Sequence, residues 1–597
     1  MPSDVRKKAL LYDLAVFASI LVLITCQLIK LGDEPGLYLD AINPDYIGVQ
    51  LLFPQVMETK WQIAWPWLCQ VYHGNVGMVI TMVSVMLTGR TSMLQYHITY
   101  GVVAAIAVFL TYKVLTHRRV GINRRWAWLG SVLLITWPSL LTIVITQFYM
   151  CLFGSICMLV GALLLLDWLD DTSSQKRLAL CYLSFGVSFY SYFNFLFLAP
   201  TLVLATIYVM KQDGVPLGHI MQPLVAYTCG CGLYFVGWTQ IALVAHGVGM
   251  SMVRKLALLL AVYCLLALVY VGFSPTKKHR MALLVACAVC LCVWAVLVLP
   301  SVKIAAAGLD VVEDTTIGQK LAAVPQDYSL ILSGKLAEML IYGTSVTYLN
   351  NHLLLFLVVV MVVTFACERI CRHSDIKWKV PVATILIFMC CCVPLGTRMQ
   401  PQHYVPLLFV TYIGLCFCAK AIFGCLASTG SARLARIVAR KGELIVAVSA
   451  FVLCANLFNS ARVINAIQVS GGEHYWADEM TELADDALDG RDQGVREVYA
   501  FKDWGFFTGF NYLTMNRVPY LTDVNEDALR QQYAEGNDIV ICYWEAEDSP
   551  SYISLCDSID DGTGRVETRE WKDGNGKVEF YEIALRHGAE GDESAQA

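Results

Sequence analysis

Long apolar stretches recur through the first 460 residues of the chain and are separated by polar segments. A helix that crosses about 30 Å of hydrocarbon needs roughly 20 predominantly apolar residues. About thirteen segments show this pattern and are predicted to be membrane-spanning helices. They lie at 9–31, 97–116, 126–146, 148–168, 177–192, 194–210, 220–245, 252–273, 280–299, 350–370, 379–396, 401–424 and 442–460. The pattern therefore predicts a polytopic α-helical membrane protein.

A long interval, residues 32–96, follows the first predicted span and is acidic near its beginning. Two parts of this first loop, Tyr46–Val56 and Val76–Leu87, are apolar but too short to cross a bilayer comfortably. Helices of this kind lie in the membrane interface. We therefore expect a first loop that carries two interfacial helices.

The pattern changes after about residue 470, where short alternating segments replace the long apolar ones. Val495–Phe501 and Asp538–Trp544 are predicted strands, with a helix at Glu526–Glu535 between them. Two further strands flank Asp573–Gly576, whose Asp-Gly-Asn-Gly sequence is a strong hairpin signal. These elements predict a small α/β unit.

Composition and charge divide the chain at the same place. The whole chain is 57% hydrophobic and 15% charged, whereas soluble proteins have roughly 45–50% and 25%. Residues 471–597 hold 29 acidic and 10 basic side chains, a balance of −19, and residues 1–470 hold 19 and 33, a balance of +14. We therefore expect a membrane domain at 1–470, an α/β domain at 471–586 and a disordered tail at 587–597.

The basic residues predict the orientation of the spans. Arg6, Lys7 and Lys8 precede the first span, and with thirteen spans nearly every later basic cluster falls on the same side. Lys and Arg collect in cytoplasmic loops. The expected location is therefore the cell membrane, with a cytoplasmic N-terminus. The first loop, a loop at 301–350 and the C-terminal domain would be extracytoplasmic.

Several kinds of chemistry lack their sequence signals. The chain has neither GxxxxGK[ST] nor GxGxxG between a strand and a helix, which disfavours an ATP-driven pump. Charged residues do not run through the middle of the predicted spans, as a proton relay would require. The 22 cysteines lack the spacing of a structural zinc site, and a disulfide between Cys542 and Cys556 is left open.

Four carboxylates lie within thirteen residues after the first predicted span: Asp33, Glu34, Asp40 and Asp45. A solvated loop would carry such acids without a chemical role, and this interpretation is left open. Asp40 and Asp45, however, lie among Leu, Ile, Tyr and Pro. Apolar surroundings raise the pKa of a carboxyl and suit it to general-base catalysis. Asp40 and Asp45 are therefore the candidate catalytic residues, and Asp33 and Glu34 are further acidic candidates.

The sequence also contains basic residues that are candidates for binding a substrate near the membrane. Arg398 and His403 lie in a short turn between two strongly apolar helices. An arginine there is costly unless it is paired or reaches the interface. It is therefore either a topological anchor or a clamp on a lipid phosphate, for which a guanidinium is well shaped. Arg90, at the end of the second interfacial segment, is a weaker candidate of the same kind.

Three segments resemble motifs of one superfamily. Tyr38–Tyr46 (YLDAINPDY) resembles an Asp-Glu-x-x-Tyr region after a first helix, Arg398–Pro406 resembles a late R-Y-x-x-P turn, and Phe506–Leu521 resembles an FY-x-G-x-x-V-P-Y-L stretch. With its layout, the chain resembles GT-C-type, polyprenyl-phosphate-dependent integral-membrane glycosyltransferases, in particular protein O-mannosyltransferases and lipid A aminoarabinose transferases. Neither Asp40 nor Asp45 has the adjacent Glu of that family. Asp33-Glu34 has the pair, but it is followed by Pro-Gly and lies close to the end of the first span. The resemblance therefore does not decide which acid is the base.

The resemblance implies a GT-C-like membrane fold with an extracytoplasmic α/β domain and an inverting glycosyl transfer. Asp40 or Asp45 would deprotonate an acceptor hydroxyl, and Arg398, His403 and Arg90 would hold the lipid phosphate. The implied partners are a polyprenyl-phosphate sugar donor, membrane lipids, and a glycan, lipid or protein acceptor in cell-envelope glycan assembly, without nucleic acid. No definite cofactor is implied; the acidic loop could host a divalent cation, although no ligand spacing indicates a metal site.

Two other functions are left open. A lipid-linked-sugar flippase or transporter would place acids inside the bundle and would show repeats of opposite topology, and neither is apparent. An envelope polysaccharide polymerase or ligase would place its catalytic bases in a different outer loop, for which Ser301–Asn350 is available.

Overall fold

The computed structural model describes most of the 597-residue chain. The described residues are 3–37, 39–54, 74, 76–145, 149–245, 249–272, 276–308, 316–333, 335, 353–371, 376–394, 401–428, 438–473, 476–503, 506–560, 562 and 564–588. The predicted disordered tail lies almost entirely outside them. Within these ranges the chain forms a helical bundle up to residue 470 and a mixed α/β unit after it.

The helices of the bundle and first loop alternate with short connections. They are α1 Ser3–Leu31, α2 Leu39–Leu52, α3 Val76–Thr88, α4 Met93–Thr116, α5 Arg124–Ile135, α6 Pro138–Ile145, α7 Tyr149–Trp168, α8 Gln175–Ser191, α9 Ala199–Gln212, α10 Met221–Ala245, α11 Met250–Gly272, α12 Lys277–Gly308, α13 Ile317–Ser333, α14 Leu353–Cys371, α15 Ile376–Cys392, α16 Val405–Ser428 and α17 Lys441–Ser470. Helix α3 confirms the second short helix predicted in the first loop, whereas α2 begins seven residues before the first predicted one and ends four residues before it. Their place in the membrane interface stays a prediction.

Eight helical stretches among the described residues are long and apolar enough to cross a membrane. They are Lys7–Leu31, Met93–Thr116, Cys151–Trp168, Phe193–Gln212, Ser251–Gly272, Lys277–Val298, Pro401–Ser428 and Lys441–Ser470. The pair α5 and α6, bent by 51°, makes a ninth if it is one span. Each predicted segment contains a helix, but α8 and α15 have 17 residues each and are about 26 Å long. The described residues therefore contain eight or nine candidate spans, fewer than the thirteen predicted.

Glycines allow two of the bundle helices to pack in direct backbone contact. A Cβ atom at Gly186 in α8 would lie 2.3 Å from the carbonyl oxygen of Tyr227 in α10, and one at Gly230 would lie 2.7 Å from the carbonyl oxygen of Leu183. Small residues permit this approach in membrane bundles, where packing rather than water exclusion drives helix association. Helices α8 and α10 therefore form a tightly packed pair.

The C-terminal unit is an α/β sheet domain, as predicted. Its helices are α18 Glu479–Asp492, α19 Phe506–Leu513, α20 Glu526–Ala534 and α21 Ser549–Ile559, and its strands are β1 Glu497–Phe501, β2 Tyr520–Leu521, β3 Asp538–Tyr543, β4 Arg565–Lys572 and β5 Val578–Arg586. The strand order is β2-β1-β3-β5-β4. Strands β2, β1 and β3 are parallel, and β5 joins β3 and β4 antiparallel. The predicted strands, helix and hairpin are confirmed.

The two faces of the sheet have different partners. One face packs, with α19, into the same apolar core as the membrane bundle, and it includes Phe501 and Cys542. The other face packs against α20 and α21, and its core includes Ile541 and Cys556. Because Cys542 and Cys556 belong to opposite faces, the disulfide left open by the sequence is not formed, and both thiols are free. The bundle and the sheet domain thus share one core.

Candidate active site in the first loop

Asp45 lies at the centre of a buried polar cluster between α2, α3 and α4. Its side chain is 0% exposed. One carboxylate oxygen, Oδ2, accepts hydrogen bonds from the hydroxyl of Thr81 at 2.9 Å and from the hydroxyl of Tyr100 at 2.8 Å. A buried carboxylate is costly unless it is hydrogen-bonded, so these two hydroxyls account for its place in the core.

The sequence of α2 explains why Asp45 faces inwards. Ile42, Tyr46 and Val49 are each at most 1% exposed. Their spacing of four and three residues puts them on one face of a helix. Asp45 precedes Tyr46 and lies on the edge of this face, towards Thr81. The apolar stripe of α2 therefore carries the carboxylate into the core with it.

Asp40, the other candidate base, belongs to the first turn of α2. Its side chain lies outside the described part of the structure. Five positions correspond to about 500° of helical rotation, so Asp40 and Asp45 lie on different faces of α2.

The C-terminal domain closes the cluster from the other side. Every residue of α19 is buried, and Tyr512 is 0% exposed. The ring of Tyr512 contacts Tyr96 of α4 edge-on, with 5.7 Å between the centroids. Burial, together with the nearby Asp45 carboxylate, raises the pKa of Tyr512 well above its usual value. Its hydroxyl has no hydrogen-bond partner among the described residues. Sequence reasoning missed Tyr512, although the motif that contains it carried part of the family resemblance.

Asp33 has a structural task. Its Oδ1 atom accepts a hydrogen bond of 2.8 Å from the backbone N–H of Leu94, in the first turn of α4. The first N–H groups of a helix lack partners within the helix, and the positive end of the helix dipole favours an anion there. Asp33 therefore caps α4 from the first loop, which orients α4 and its Tyr100 relative to α1.

Glu34 faces acids of the C-terminal domain. Burial, reinforced by the charges of Asp478 and Asp33, raises the pKa of Glu34 to about 7. Burial and neighbouring acids likewise raise the pKa of Asp478 to about 6 and that of Glu479 to about 8. The backbones also meet here, because Gly36 donates a hydrogen bond of 2.7 Å to the carbonyl of Trp476. We call Glu34, Asp478 and Glu479 the acidic junction.

His403 is buried in the bundle. It is 8% exposed, its Nε2 atom lies 2.9 Å from the hydroxyl of Tyr192, and its ring stacks on that tyrosine. Its carbonyl also accepts a hydrogen bond of 2.6 Å from Asn194. These contacts fix the turn Pro401–Tyr404 against the segment that follows α8. The imidazole therefore holds this turn in place.

Of the two arginine candidates, the structure describes only Arg90. Arg398 lies outside the described residues. Arg90 follows α3, is exposed, and has no carboxylate partner among the described residues. The neighbouring Thr91 donates a hydrogen bond of 3.1 Å to the carbonyl of Leu513 at the end of α19. Arg90 thus directly precedes a contact between the first loop and the C-terminal domain.

One group of described side chains has the spacing of metal ligands, and it lies at the end of α4 opposite to the first loop. Ligand atoms of His117, Asp167 and Asp170 lie within 4.8 Å of one another. Asp170 is already paired with Arg118 and Arg119, so cationic partners occupy this cluster. The described acids of the first loop do not form such a group.

No family model matches the chain, and no curated protein sequence matches it. Its structure is similar to ArnT from Cupriavidus metallidurans in the apo state, with a TM-score of 0.46 and 10% identity over 96% of this chain and 97% of that one. For ArnT bound to undecaprenyl phosphate, the TM-score is 0.42 and the identity 12%, with the same coverage. For the Archaeoglobus fulgidus oligosaccharyltransferase tethered with an acceptor peptide, the TM-score is 0.44 and the identity 12%, over 90% of this chain and 70% of that one. The similarity to these solved structures extends over 90% or more of this chain.

Proposed function

We propose that the protein transfers a sugar from a polyprenyl-phosphate-linked donor to an acceptor hydroxyl on the extracytoplasmic side of the membrane. The observation that carries this proposal is the position of α2. This helix bears two first-loop carboxylates and lies between the membrane bundle and the C-terminal domain. In this proposal a lipid-linked donor would approach α2 laterally from the bilayer, and an acceptor would approach it from water.

Asp40 is the better candidate for the base, and Asp45 for a residue that holds α2. The Asp45 carboxylate is sealed from solvent and is already engaged by two hydroxyl groups. A general base must come within hydrogen-bond reach of the proton that it removes. Asp40, five positions earlier, lies on another face of the same helix. Asp45 therefore anchors the helix on which Asp40 is carried.

The leaving phosphate needs positive charge. Arg90 supplies an exposed guanidinium without a carboxylate partner among the described residues, and Arg398 would supply a second. Arginine binds phosphate oxygens in a bidentate manner. His403 is buried and bonded to Tyr192, so we assign it to holding the turn that follows Arg398 rather than to binding phosphate.

These groups account for the proton, the new bond and the leaving group of the transfer. Asp40 takes the proton of the acceptor hydroxyl, and the oxygen forms a bond to the anomeric carbon of the sugar. The bond from that carbon to the phosphate oxygen breaks, and its electron pair leaves on polyprenyl phosphate beside the arginines. Attack opposite the leaving group inverts the anomeric configuration.

The polymerase or ligase alternative has one observation in its favour. Asp327 lies in α13, within the second large loop, and burial raises its pKa to about 6. Its neighbour Tyr328 lies against Tyr404, with 6.4 Å between the ring centroids. A carboxyl of this kind could serve as the base of a different transferase. An Asp327→Asn variant that loses activity while Asp40→Asn retains it would select this alternative.

The test uses purified protein in lipid nanodiscs with a panel of synthetic polyprenyl-phosphate sugars and a membrane extract as acceptor. We expect release of free polyprenyl phosphate without added nucleotide, and sugar that appears in the extract. A nucleotide requirement, or translocation of intact donor without release of polyprenyl phosphate, would contradict the proposal. The second result would favour a flippase.

A further inference from the structure

We infer that the C-terminal domain positions α2 through a clamp formed by Asn511, Asn516 and Tyr520, which are therefore positioning residues. Their consequence for catalysis rests on the proposed function, whereas their hold on α2 does not. We call these three residues the domain clamp. It contacts the last turn of α2 and the residue that follows it.

Two hydrogen bonds cross from the domain clamp to the first loop. The side-chain amide of Asn516 donates to the carbonyl of Phe53 at 2.8 Å, and the amide of Gln50 donates to the hydroxyl of Tyr520 at 2.9 Å. Asn511 ties the clamp together, because its amide donates to Asn516 Oδ1 at 2.8 Å and to the Tyr520 hydroxyl at 3.2 Å. Asn511, Asn516 and Tyr520 are each at most 2% exposed. Buried hydrogen bonds of this kind specify a single geometry.

The backbone of the clamp is held in an uncommon conformation. Met515 and Asn516 have φ angles of 54° and 52°, so two successive non-glycine residues lie in the left-handed region. Such residues cost free energy and persist where the surrounding structure requires them. Asn tolerates this region, whereas Met gains nothing from it. The strained turn at the end of α19 brings the Asn516 amide to the Phe53 carbonyl.

The hydrogen bonds from the domain clamp meet the C-terminal end of α2, where helix carbonyl groups lack partners. The last carbonyl groups of a helix have no partners within the helix, and α2 ends at Leu52, just before Phe53. The chain then continues into residues 55–73, which lie outside the described part. Partners for Gln50 and Phe53 are thus supplied from more than 460 positions away along the chain. The C-terminal domain acts as the cap of α2.

Aromatic contacts extend the clamp towards the Asp45 cluster. Phe507 of α19 stacks on Tyr520, with 6.2 Å between the centroids, and meets Tyr46 of α2 edge-on at 6.0 Å. Tyr46 is the neighbour of Asp45 in sequence. The sheet domain therefore fixes the rotation of α2 by contacts to the C-terminal half of this helix. The rotation of α2 in turn sets the direction of the faces to which positions 40 and 45 belong.

The experiment uses two conservative variants of the full chain in nanodiscs. Tyr520→Phe keeps the ring and removes the hydroxyl, and Asn516→Asp keeps the left-handed preference and removes the donor. Matched controls make the same chemical changes elsewhere in the domain. Tyr543→Phe breaks only a bond to Ser549, and Asn537→Asp breaks only bonds to Gln532.

The first readout is hydrogen–deuterium exchange of amides in α2, which does not depend on any activity. We expect exchange about five- to tenfold faster in both clamp variants, and no change in the controls. The second readout is sugar transfer, for which we expect kcat to fall at least fivefold with KM nearly unchanged. Reverting the Tyr520→Phe substitution must restore both.

Each outcome decides something different. Unchanged exchange in α2 would overturn the clamp, and faster exchange with unchanged kcat would overturn its role in positioning. Faster exchange in a protein whose wild type transfers no sugar would leave the clamp standing and remove the proposed function. An equal response of the control variants would reduce the effect to general destabilisation of the domain and would also overturn the inference.

Discussion

At the acidic junction, the protonation of single carboxyl groups affects how the first loop packs against the C-terminal domain. Glu34 and Glu479 each have a buried carboxylate oxygen, Oε2, without a hydrogen-bond partner among the described residues. Both are surrounded by other acids, and burial raises their pKa values to about 7 and about 8. The protonated form is therefore the one that this interface accommodates best.

A dependence of stability on pH follows. Because the folded-state pKa values lie above the unfolded value of 4.5, the contribution of these groups is fully present below about pH 4.5. It is lost as the pH rises through 7 and 8. We expect the midpoint of thermal unfolding to be several degrees lower at pH 8.5 than at pH 5.5. Glu479→Gln should remove much of this difference by raising the midpoint at pH 8.5.

The matched control is Glu547→Gln, at an exposed acid of the same domain. It should leave the pH dependence of the midpoint as it is in the wild type. A Glu479→Gln protein that is less stable than the wild type at pH 8.5 would mean that the ionised carboxylate has a cationic partner at this junction, contrary to our account.

Some of these roles cannot be read from local sequence. Asp33 resembles the other acids of its loop, yet it caps α4 by accepting a hydrogen bond from the backbone of Leu94, 61 positions away. Histidine is a residue type that can bind phosphate, yet His403 is buried against Tyr192, 211 positions away. Sequence patterns identify residue types near the membrane, whereas pairings over such separations depend on tertiary packing. The acid-rich loop is therefore predictable, and the task of each acid in it is not.

At the scale of elements, the pair α8 and α10 shows how glycine spacing sets helix packing. The Gly186 and Gly230 backbones lie where a Cβ atom would overlap carbonyl groups of the opposite helix. We expect Gly186→Ala to separate the helices and to lower the midpoint of thermal unfolding clearly. A cost of about 1–3 kcal/mol is typical of overpacking.

Gly424 in α16 is the control for that change. A Cβ atom there meets no heavy atom within 4 Å, and Ala has a higher helix propensity than Gly. Gly424→Ala should therefore leave the unfolding midpoint unchanged or raise it slightly. Equal tolerance of Ala at positions 186 and 424 would show that α8 and α10 do not pack as closely as described.

Sequence reasoning succeeds most at the level of elements. Apolar runs place a helix in each predicted span, and alternation with a turn signal places β4 and β5. The count of spans is less reliable, because α8 and α15 are short and α5 and α6 are bent by 51°. Apolar residues are favoured both where a helix faces lipid and where it is buried in protein. Apolar composition alone therefore does not predict where a helix bends or ends.

At the scale of the whole molecule, the sheet domain is part of the same structure as the first loop. The charge of −19 over residues 471–597 predicts a separate unit, and these residues form a sheet of their own, but one face of the sheet shares the core of the bundle. The contacts that join them, such as Gln50 with Tyr520 and Tyr96 with Tyr512, connect segments more than 400 positions apart. Local periodicity carries no information on such pairs, and this is why the sequence does not predict the domain clamp.

We propose that α2 presents Asp40 as the base of a glycosyl transfer and that Asp45 anchors this helix. The most direct measurement is the initial rate of sugar transfer from a polyprenyl-phosphate donor by Asp40→Asn and Asp45→Asn proteins in nanodiscs. We expect Asp40→Asn to lower the rate at least about 100-fold with an unchanged unfolding midpoint. Asp45→Asn, whose amide oxygen can still accept from Thr81 and Tyr100, should lower the rate about tenfold or less. A full transfer rate in Asp40→Asn would contradict the account.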